Sequence, residues 1–184
     1  MSVVRLLEES EAPLPAQEFY AGGDPGPIVA ALAHVPELLE VTLPFLGAVL
    51  GPSAIALRTK EVVILRTSVL LACRYCVETH TALARDAELS VDEVRALRAE
   101  LPVPEAFPGP ADRALIGWVD AVARGPGTPP AELVEALSAH FDEAEVAELT
   151  LLVGATLMLN RFSTSLRLPT NAATLRRLGA EGWP

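Results

Sequence analysis

Two cysteines and a histidine fall close together near the middle of the chain. Cys73 and Cys76 are its only cysteines, and His80 follows four residues after the second. On an α-helix, at about 100° per residue, these three positions lie within an arc of about 60°. Such a stripe would provide a nucleophilic thiol, a second thiol that can form a disulfide with it, and a base.

The chemistry of such a site depends on the thiolate form of cysteine. A free thiol has a pKa of about 8.5, so at neutral pH it is mostly protonated and is a poor nucleophile. A helix that begins near Ala72 would point unpaired N–H groups at the cysteines of its first turn. His80, one turn beyond Cys76, could accept the proton of that thiol. The spacing therefore favours Cys76 as the attacking thiol and Cys73 as the resolving one.

Two other uses of the cysteine pair compete with redox chemistry. An inert structural disulfide is disfavoured, because it is rare in the cytoplasm and a bridge across so short a loop constrains the unfolded chain little. Together with His80 and Glu61 the pair offers four metal ligands. Structural zinc sites, however, usually take a second ligand pair from a separate element, and the sequence has no second Cys/His pair. We expect redox chemistry, with no metal and no cofactor.

Glu61 is a possible further member of the site. It precedes Cys73 by twelve residues, which is about 18 Å along one unbroken helix and far beyond hydrogen-bond reach. Its carboxylate can join the site only if the chain bends between Leu70 and Cys73, and the residues there include no helix breaker. The local sequence alone therefore does not place Glu61 in the site.

The elements that carry these residues are predicted to be helices throughout. No alternating strand pattern occurs, and two capping boxes mark helix starts, Ser90 with Glu93 and Asp142 with Glu145. We predict a loop at 102–110 and an irregular, Pro- and Gly-rich arm at 1–26, followed by one all-α, multi-helix domain over 27–184. Caps and breakers predict helices at 27–33, 36–50, 53–71, 73–87, 90–99, 111–124, 131–139, 143–166 and 171–178.

Composition and charge exclude several classes of protein. With 184 residues, 51% of them hydrophobic, the chain suits one folded domain rather than a disordered segment. Fourteen basic residues scattered among 24 acidic ones form no basic stripe, which argues against nucleic acid and anionic membrane as partners. The longest apolar stretch is shorter than the ~20 residues of a membrane span, and the N-terminus lacks a signal-peptide core. We expect a cytoplasmic homo-oligomer that covers its excess apolar helix surface.

The motifs resemble those of a known family. The string Glu61-Val-Val-Ile-Leu-Arg-Thr-Ser68, followed by Cys73-Arg-Tyr-Cys76-Val-Glu-Thr-His80, resembles the alkyl hydroperoxidase D-like branch of the carboxymuconolactone decarboxylase family. The segment Asn160-Arg-Phe162 with Leu166-Arg-Leu-Pro169 is also similar. The resemblance is strongest over 36–89 and returns around 154–169. It implies an all-α fold that assembles as trimers or hexamers.

The resemblance also implies a proton relay and a reaction. Glu61, directly or through water, would help His80 to deprotonate Cys76, which would attack a small hydroperoxide and become a sulfenic acid. Cys73 would then condense with it to a disulfide, and a thiol or dithiol reductant, either a small molecule or a protein, would restore both thiols. The resemblance also implies that Ser68 supports the site without reacting itself. Tyr75 stands where the best-known peroxidase of the family has a histidine.

The sequence thus predicts a thiol-dependent hydroperoxidase, with two alternatives. The first is a redox adaptor that passes electrons to a partner peroxidase by thiol–disulfide exchange. The second is a lyase of the decarboxylase type that uses His80 and Glu61 as an acid–base pair. Family members that decarboxylate a lactone generally lack the paired cysteines, which disfavours the lyase. Arg161 interrupts an apolar stretch, and we expect it to form a structural ion pair.

Overall fold

The protein is an all-α bundle, as the sequence predicts. The computed structural model describes residues 1–125 and 127–183, and over these residues it contains ten α-helices, two short 3-10 helices and no strand. The helices are α1 (Pro27–Leu32), α2 (Pro36–Leu50), α3 (Leu57–Leu70), α4 (Arg74–Asp86), α5 (Val91–Leu97), α6 (Val103–Ala106), α7 (Pro110–Arg124), α8 (Ala131–Ser138), α9 (Glu143–Leu166) and α10 (Ala172–Ala180).

Most helix boundaries agree with the capping signals, and one prediction is wrong. Both capping boxes form, at the start of α5 and at the start of α9. The segment 102–110, predicted as a loop, contains the one-turn helix α6. Pro104 lies in the first turn of α6, where a proline costs little because the N–H it lacks would have no partner within the helix.

Helices α3 and α9 form the centre of the bundle. Helix α3 packs against α4, α7 and α9, and α9 also packs against α2, α4 and α7. Four consecutive residues of α3, Val62 to Leu65, are buried, so this helix is covered on nearly all sides. The main core cluster combines them with Leu115 and Val119 of α7 and with Leu149, Leu152 and Val153 of α9.

By length and composition alone, α9 could cross a membrane. It has 24 residues and an 18-residue window of sufficient hydropathy, and it is the one helix of the described residues with this property. Other helices of the bundle pack around it, and Leu149, Leu152 and Val153 are fully buried against them. Packing inside the bundle therefore accounts for part of its apolar composition, since 39% of that window is buried.

The single lysine of the chain fastens α2, α3 and α9 together. Lys60 is only 1% exposed, and its Nζ donates to the backbone carbonyls of Val49 at 3.0 Å and Gly51 at 2.7 Å. It also lies 2.8 Å from the Glu148 carboxylate on α9. A buried ammonium is tolerated only when its donors are satisfied, and here three oxygens satisfy them.

The N-terminal segment packs onto the bundle without forming an α-helix. Residues 1–26 contain two 3-10 helices, Glu9–Glu11 and Leu14–Tyr20. The Tyr20 hydroxyl donates to the Leu7 carbonyl at 3.0 Å, and both side chains belong to a small apolar cluster with Leu39 of α2. The Val3 N–H donates to the Leu166 carbonyl at 2.8 Å, which holds the start of the chain at the end of α9.

Candidate active site

A sharp turn at Ala72 creates the site. Helix α3 ends at Leu70, and Ala72 adopts the left-handed backbone conformation with φ of 52°. The Ala72 N–H donates to the Val69 carbonyl at 3.0 Å and the Cys73 N–H to the Ser68 carbonyl at 3.1 Å, which together form a Schellman motif. The turn folds α4 back along α3, so the unbroken helix that would keep Glu61 away from Cys73 does not exist.

Because of this turn, Glu61 and His80 meet across the two helices. The Glu61 carboxylate Oε2 lies 2.9 Å from Nδ1 of His80. Both side chains are mostly buried, with exposed fractions of 13% for Glu61 and 20% for His80. When Nδ1–H donates to the carboxylate, Nε2 of His80 is left as a proton acceptor. The contact therefore fixes the orientation of the imidazole.

The two cysteines lie at the start of α4. Cys73 is the N-cap residue, and the Cys76 N–H donates to its Sγ at 3.4 Å. The structure joins the two residues as a disulfide, with their Cα atoms 5.3 Å apart, a separation in the usual range for disulfides. Both residues are buried, Cys73 with 1% and Cys76 with 4% exposed. An N–H donor and the positive end of a helix both stabilise a thiolate at Cys73.

Tyr75 and Ser68 lie beside the cysteines and have different surroundings. Burial, more than any other influence, raises the pKa of the Tyr75 phenol, although a hydrogen bond with Thr79 opposes this effect. Tyr75 therefore stays neutral throughout the physiological pH range. Ser68 is buried; its Oγ donates to the Ile64 carbonyl at 2.7 Å and accepts from Asn160 at 3.3 Å. Ser68 thus ties α3 to α9 directly below the turn.

A cavity of about 400 Å³ opens at Cys73, and we call it the Cys73 cavity. Neither Cys76 nor His80 lines it. Much of its lining comes from the end of α9 and the start of α10. The resemblance included Arg167, Leu168 and Pro169 there, but the sequence did not indicate that they line a cavity with Cys73. Its lining includes Cys73, Arg74, Glu78, Ser163, Arg167 and Thr170.

Two sequence-based expectations about charges and metals can be compared with the structure. Arg161 is exposed and forms no ion pair with any described residue, so the predicted structural ion pair is wrong. Its guanidinium reaches water from the surface of α9 and needs no partner. Within residues 1–125 and 127–183, no three His, Cys, Asp or Glu side chains are grouped so that they could hold a metal ion.

Comparison with known proteins agrees with this architecture. Residues 36–121, which include Glu61, both cysteines and His80, match the carboxymuconolactone decarboxylase family. The resemblance predicted from the sequence is confirmed. No curated protein sequence is significantly similar to the chain.

Several solved structures have the same fold. A putative antioxidant defence protein AhpD from Agrobacterium tumefaciens is 28% identical, with 77% of this chain and 96% of that chain covered and a TM-score of 0.69. An alkylhydroperoxidase AhpD core, a peroxidase-related protein from Ralstonia eutropha, is 19% identical; 94% of each chain is covered and the TM-score is 0.81. The debrominase Bmp8, in complex with 2,3,4-tribromopyrrole, is 18% identical, with 98% of this chain and 99% of that chain covered and a TM-score of 0.79. The fold is therefore AhpD-like.

Proposed function

We propose that this protein is a thiol-dependent hydroperoxidase that cycles Cys73 and Cys76 between dithiol and disulfide. The observation that carries the proposal is the 2.9 Å contact between Glu61 and His80 on the helices that flank the cysteine pair. A carboxylate that orients an imidazole, one helical turn from a thiol, is the arrangement that activates a nucleophilic cysteine. Such a cycle needs a reducing compartment, so we place the protein in the cytoplasm.

The cycle begins with the removal of a proton from Cys76. Nε2 of His80 takes the thiol proton while Glu61 stabilises the imidazolium. The Cys76 thiolate attacks the terminal oxygen of a hydroperoxide and the O–O bond breaks, which gives a Cys76 sulfenic acid and, after protonation by His80, an alcohol or water. The Cys73 thiolate then attacks the Cys76 sulfur, the S–O bond breaks, and hydroxide leaves as water. Two reducing equivalents from thiols restore the dithiol.

The surroundings of Cys73 support its role as the resolving thiol. The N–H of Cys76 and the start of α4 stabilise its thiolate, and the two Cα atoms are already close enough for the bond. Two structural relatives support the reaction class, since one is described as a putative antioxidant defence protein and one as peroxidase-related. The debrominase indicates that the fold also serves other chemistry.

Single-cysteine variants test the proposal. We expect Cys76→Ser to abolish peroxide consumption, because the attacking sulfur is lost. We expect Cys73→Ser to stop after the first step and to accumulate a Cys76 sulfenic acid that a dimedone-type reagent traps. Mass spectrometry after one equivalent of peroxide measures both outcomes. Wild-type turnover in both variants would refute the mechanism.

A redox adaptor is a second candidate, favoured by the burial of Cys76 and by the opening of the cavity at Cys73. Stopped-flow oxidation of the reduced protein separates the two functions. A hydroperoxidase is oxidised quickly by hydroperoxide, whereas an adaptor is oxidised slowly by hydroperoxide and quickly by a protein disulfide. Activity that survives alkylation of both cysteines would instead indicate the lyase.

A further inference from the structure

We propose that the Cys73 cavity binds the reductant, and that this reductant is a small thiol that carries a carboxylate. Its thiolate attacks Cys73 rather than Cys76. This inference rests on the proposed disulfide cycle and adds the chemical class of the electron donor and the sulfur that it attacks. Peroxide and reductant would then act on different sulfur atoms of the same pair.

Access determines which sulfur the reductant reaches. Both cysteines are buried, but only Cys73 lines the cavity. A volume of about 400 Å³ lies within the range of sites that enclose a small molecule. Attack on Cys73 also makes Cys76 the leaving group, and His80 one turn away can protonate the thiolate that leaves. Because the Cys73 thiolate is also stabilised, by the Cys76 N–H and the start of α4, access rather than leaving-group stabilisation determines the direction of attack.

A buried hydroxyl in the cavity wall indicates that the cavity holds a polar ligand. Ser163 on α9 is 1% exposed and lines the cavity, and its Oγ has no hydrogen-bond partner among the described residues. A buried polar atom without a hydrogen-bond partner destabilises the protein. A carboxylate or amide of a bound thiol would remove this cost, and the start of α4 next to it favours an anion.

The charges around the cavity also favour an anion. Three charged side chains line it, and Arg74 is paired with Glu78 at 2.7 Å. Glu78 also accepts a hydrogen bond from Thr170. Arg167, in contrast, is exposed and forms no ion pair with any described residue. The lining is therefore net positive, although the whole chain has a charge of −10.

The proposed reduction balances in two exchange steps. The thiolate of the first reductant attacks Cys73 Sγ, and the Cys73–Cys76 bond breaks. The electron pair goes to Cys76, which is protonated, and Cys73 is left in a mixed disulfide with the reductant. A second thiolate attacks the reductant sulfur of this mixed disulfide and releases the Cys73 thiolate. Two reductant thiols are oxidised to one disulfide, and the protein disulfide is reduced to two thiols.

Reduction of the oxidised protein by three small thiols tests the recognition of the carboxylate. The probes are 3-mercaptopropionate, 2-mercaptoethanol and cysteamine, which are anionic, neutral and cationic, and each rate is divided by the thiolate concentration. We expect the anionic thiol to react about three- to tenfold faster than the neutral one at low salt, with the advantage lost at high salt. The net charge of the chain alone would give the opposite order, so the reverse order overturns the proposal.

Two arginine variants show whether the cavity causes the preference. Arg167→Asn removes the charge, and Asn tolerates the left-handed backbone at this position, where φ is 53°. We expect it to bring the anionic-to-neutral rate ratio close to one. Arg161→Gln is the matched control, because Arg161 is also exposed and forms no ion pair with any described residue, but it does not line the cavity. An equal loss of preference in both variants would overturn the role of the cavity.

Mixed-disulfide formation identifies the sulfur that is attacked. The disulfide of 3-mercaptopropionate is added to Cys76→Ser and to Cys73→Ser, each of which retains one thiol. We expect the variant that retains Cys73 to form the adduct at least tenfold faster, as measured by mass spectrometry. Faster adduct formation at Cys76 would overturn this inference but would not affect the proposed hydroperoxidase function. If instead the wild type showed no peroxide turnover but kept its preference for the anionic thiol, only the proposed function would be refuted.

Discussion

Each of the two sulfur atoms has its own means of carrying negative charge. Cys73 has a backbone N–H and the start of α4, and Cys76 has His80 one turn away on the same helix. The spacing of the motif predicts the second of these features, and the predicted start of a helix near Ala72 indicates the first. Sequence patterns do not resolve which residue is the N-cap, so they could not identify Cys73 as the acceptor of the Cys76 N–H.

At the same scale, we propose that Glu61 acts by positioning His80. We expect Glu61→Gln to lower the rate of peroxide-driven oxidation of Cys76 by about a hundredfold, because the imidazolium loses its carboxylate. Stopped-flow oxidation by hydroperoxide measures this rate. The control is Glu40→Gln on the exposed face of α2, which should leave the rate unchanged; an equal fall in both variants would contradict the relay.

Several helices end at left-handed turns that no glycine marks in the sequence. Ala72, Glu88, Ala99 and Arg167 all have positive φ although none is glycine. Side-chain caps located the starts of α5 and α9. The sequence also separated helices at 53–71 and 73–87, but without Gly or Pro at the junction it did not indicate the sharp turn at Ala72 that folds one helix back along the other. The contact between Glu61 and His80 depends on that turn, and for this reason the local sequence could not place Glu61 in the site. The resemblance to a known family supplied it instead.

Glycine at such a turn should stabilise the protein. We expect Ala72→Gly and Ala99→Gly each to raise the free energy of unfolding by about 0.5–1.5 kcal/mol, because an L-residue is strained in the left-handed region. Denaturant unfolding measures the change. Ala136→Gly, at an exposed position inside α8, is the control and should lower the free energy by about 1 kcal/mol. Destabilisation at Ala72 would mean that its methyl group packs usefully.

The attachment of α2 to α3 and α9 through Lys60 should be essential to the bundle. We expect Lys60→Met to lower the free energy of unfolding by about 2–4 kcal/mol, since it leaves two carbonyls without their donor and removes the cation paired with Glu148, which keeps its hydrogen bond from Ser53. The hydrogen bond from Lys60 is the largest influence that lowers the pKa of Glu148 below its usual 4.5. A lowered carboxylate pKa stabilises the fold above pH 4.5, and this stabilisation is lost as the pH falls further.

Unfolding at two pH values isolates the contribution of the Lys60–Glu148 ion pair to the free energy of unfolding. The difference in stability between the wild type and Lys60→Met should be largest at pH 7 and should narrow below pH 4, where Glu148 becomes protonated. Guanidinium denaturation at both pH values gives the two differences. A difference that does not change with pH would show that the carbonyl contacts of Lys60, rather than its ion pair, carry the effect.

At the scale of the whole molecule, two neighbouring helices expose apolar side chains. Helices α2 and α9 pack together, and between them leave Leu38, Val41, Phe45, Leu151 and Met158 at least 40% exposed. Scattered apolar residues are normal on a surface, whereas several on adjoining helices are typical of a subunit interface. The sequence predicts this excess from composition, but only the fold indicates which helices bear it.

We therefore expect the protein to form a homo-oligomer through α2 and α9. Light scattering with size exclusion should give three or six times the chain mass of 19.5 kDa. Phe45→Glu should lower this mass, because a buried charge at an interface is costly. Val134→Glu, at an equally exposed apolar position on α8, should leave it unchanged. A monomeric wild type would contradict the prediction.

The most direct measurement of the central claim is the pKa of each thiol, from the pH dependence of alkylation, combined with mass spectrometry after one equivalent of hydroperoxide. The account predicts that Cys76 alkylates with a pKa below the ordinary value of about 8.5 and that peroxide produces a Cys73–Cys76 crosslink. Ordinary reactivity at both thiols, with no crosslink formed, would contradict it.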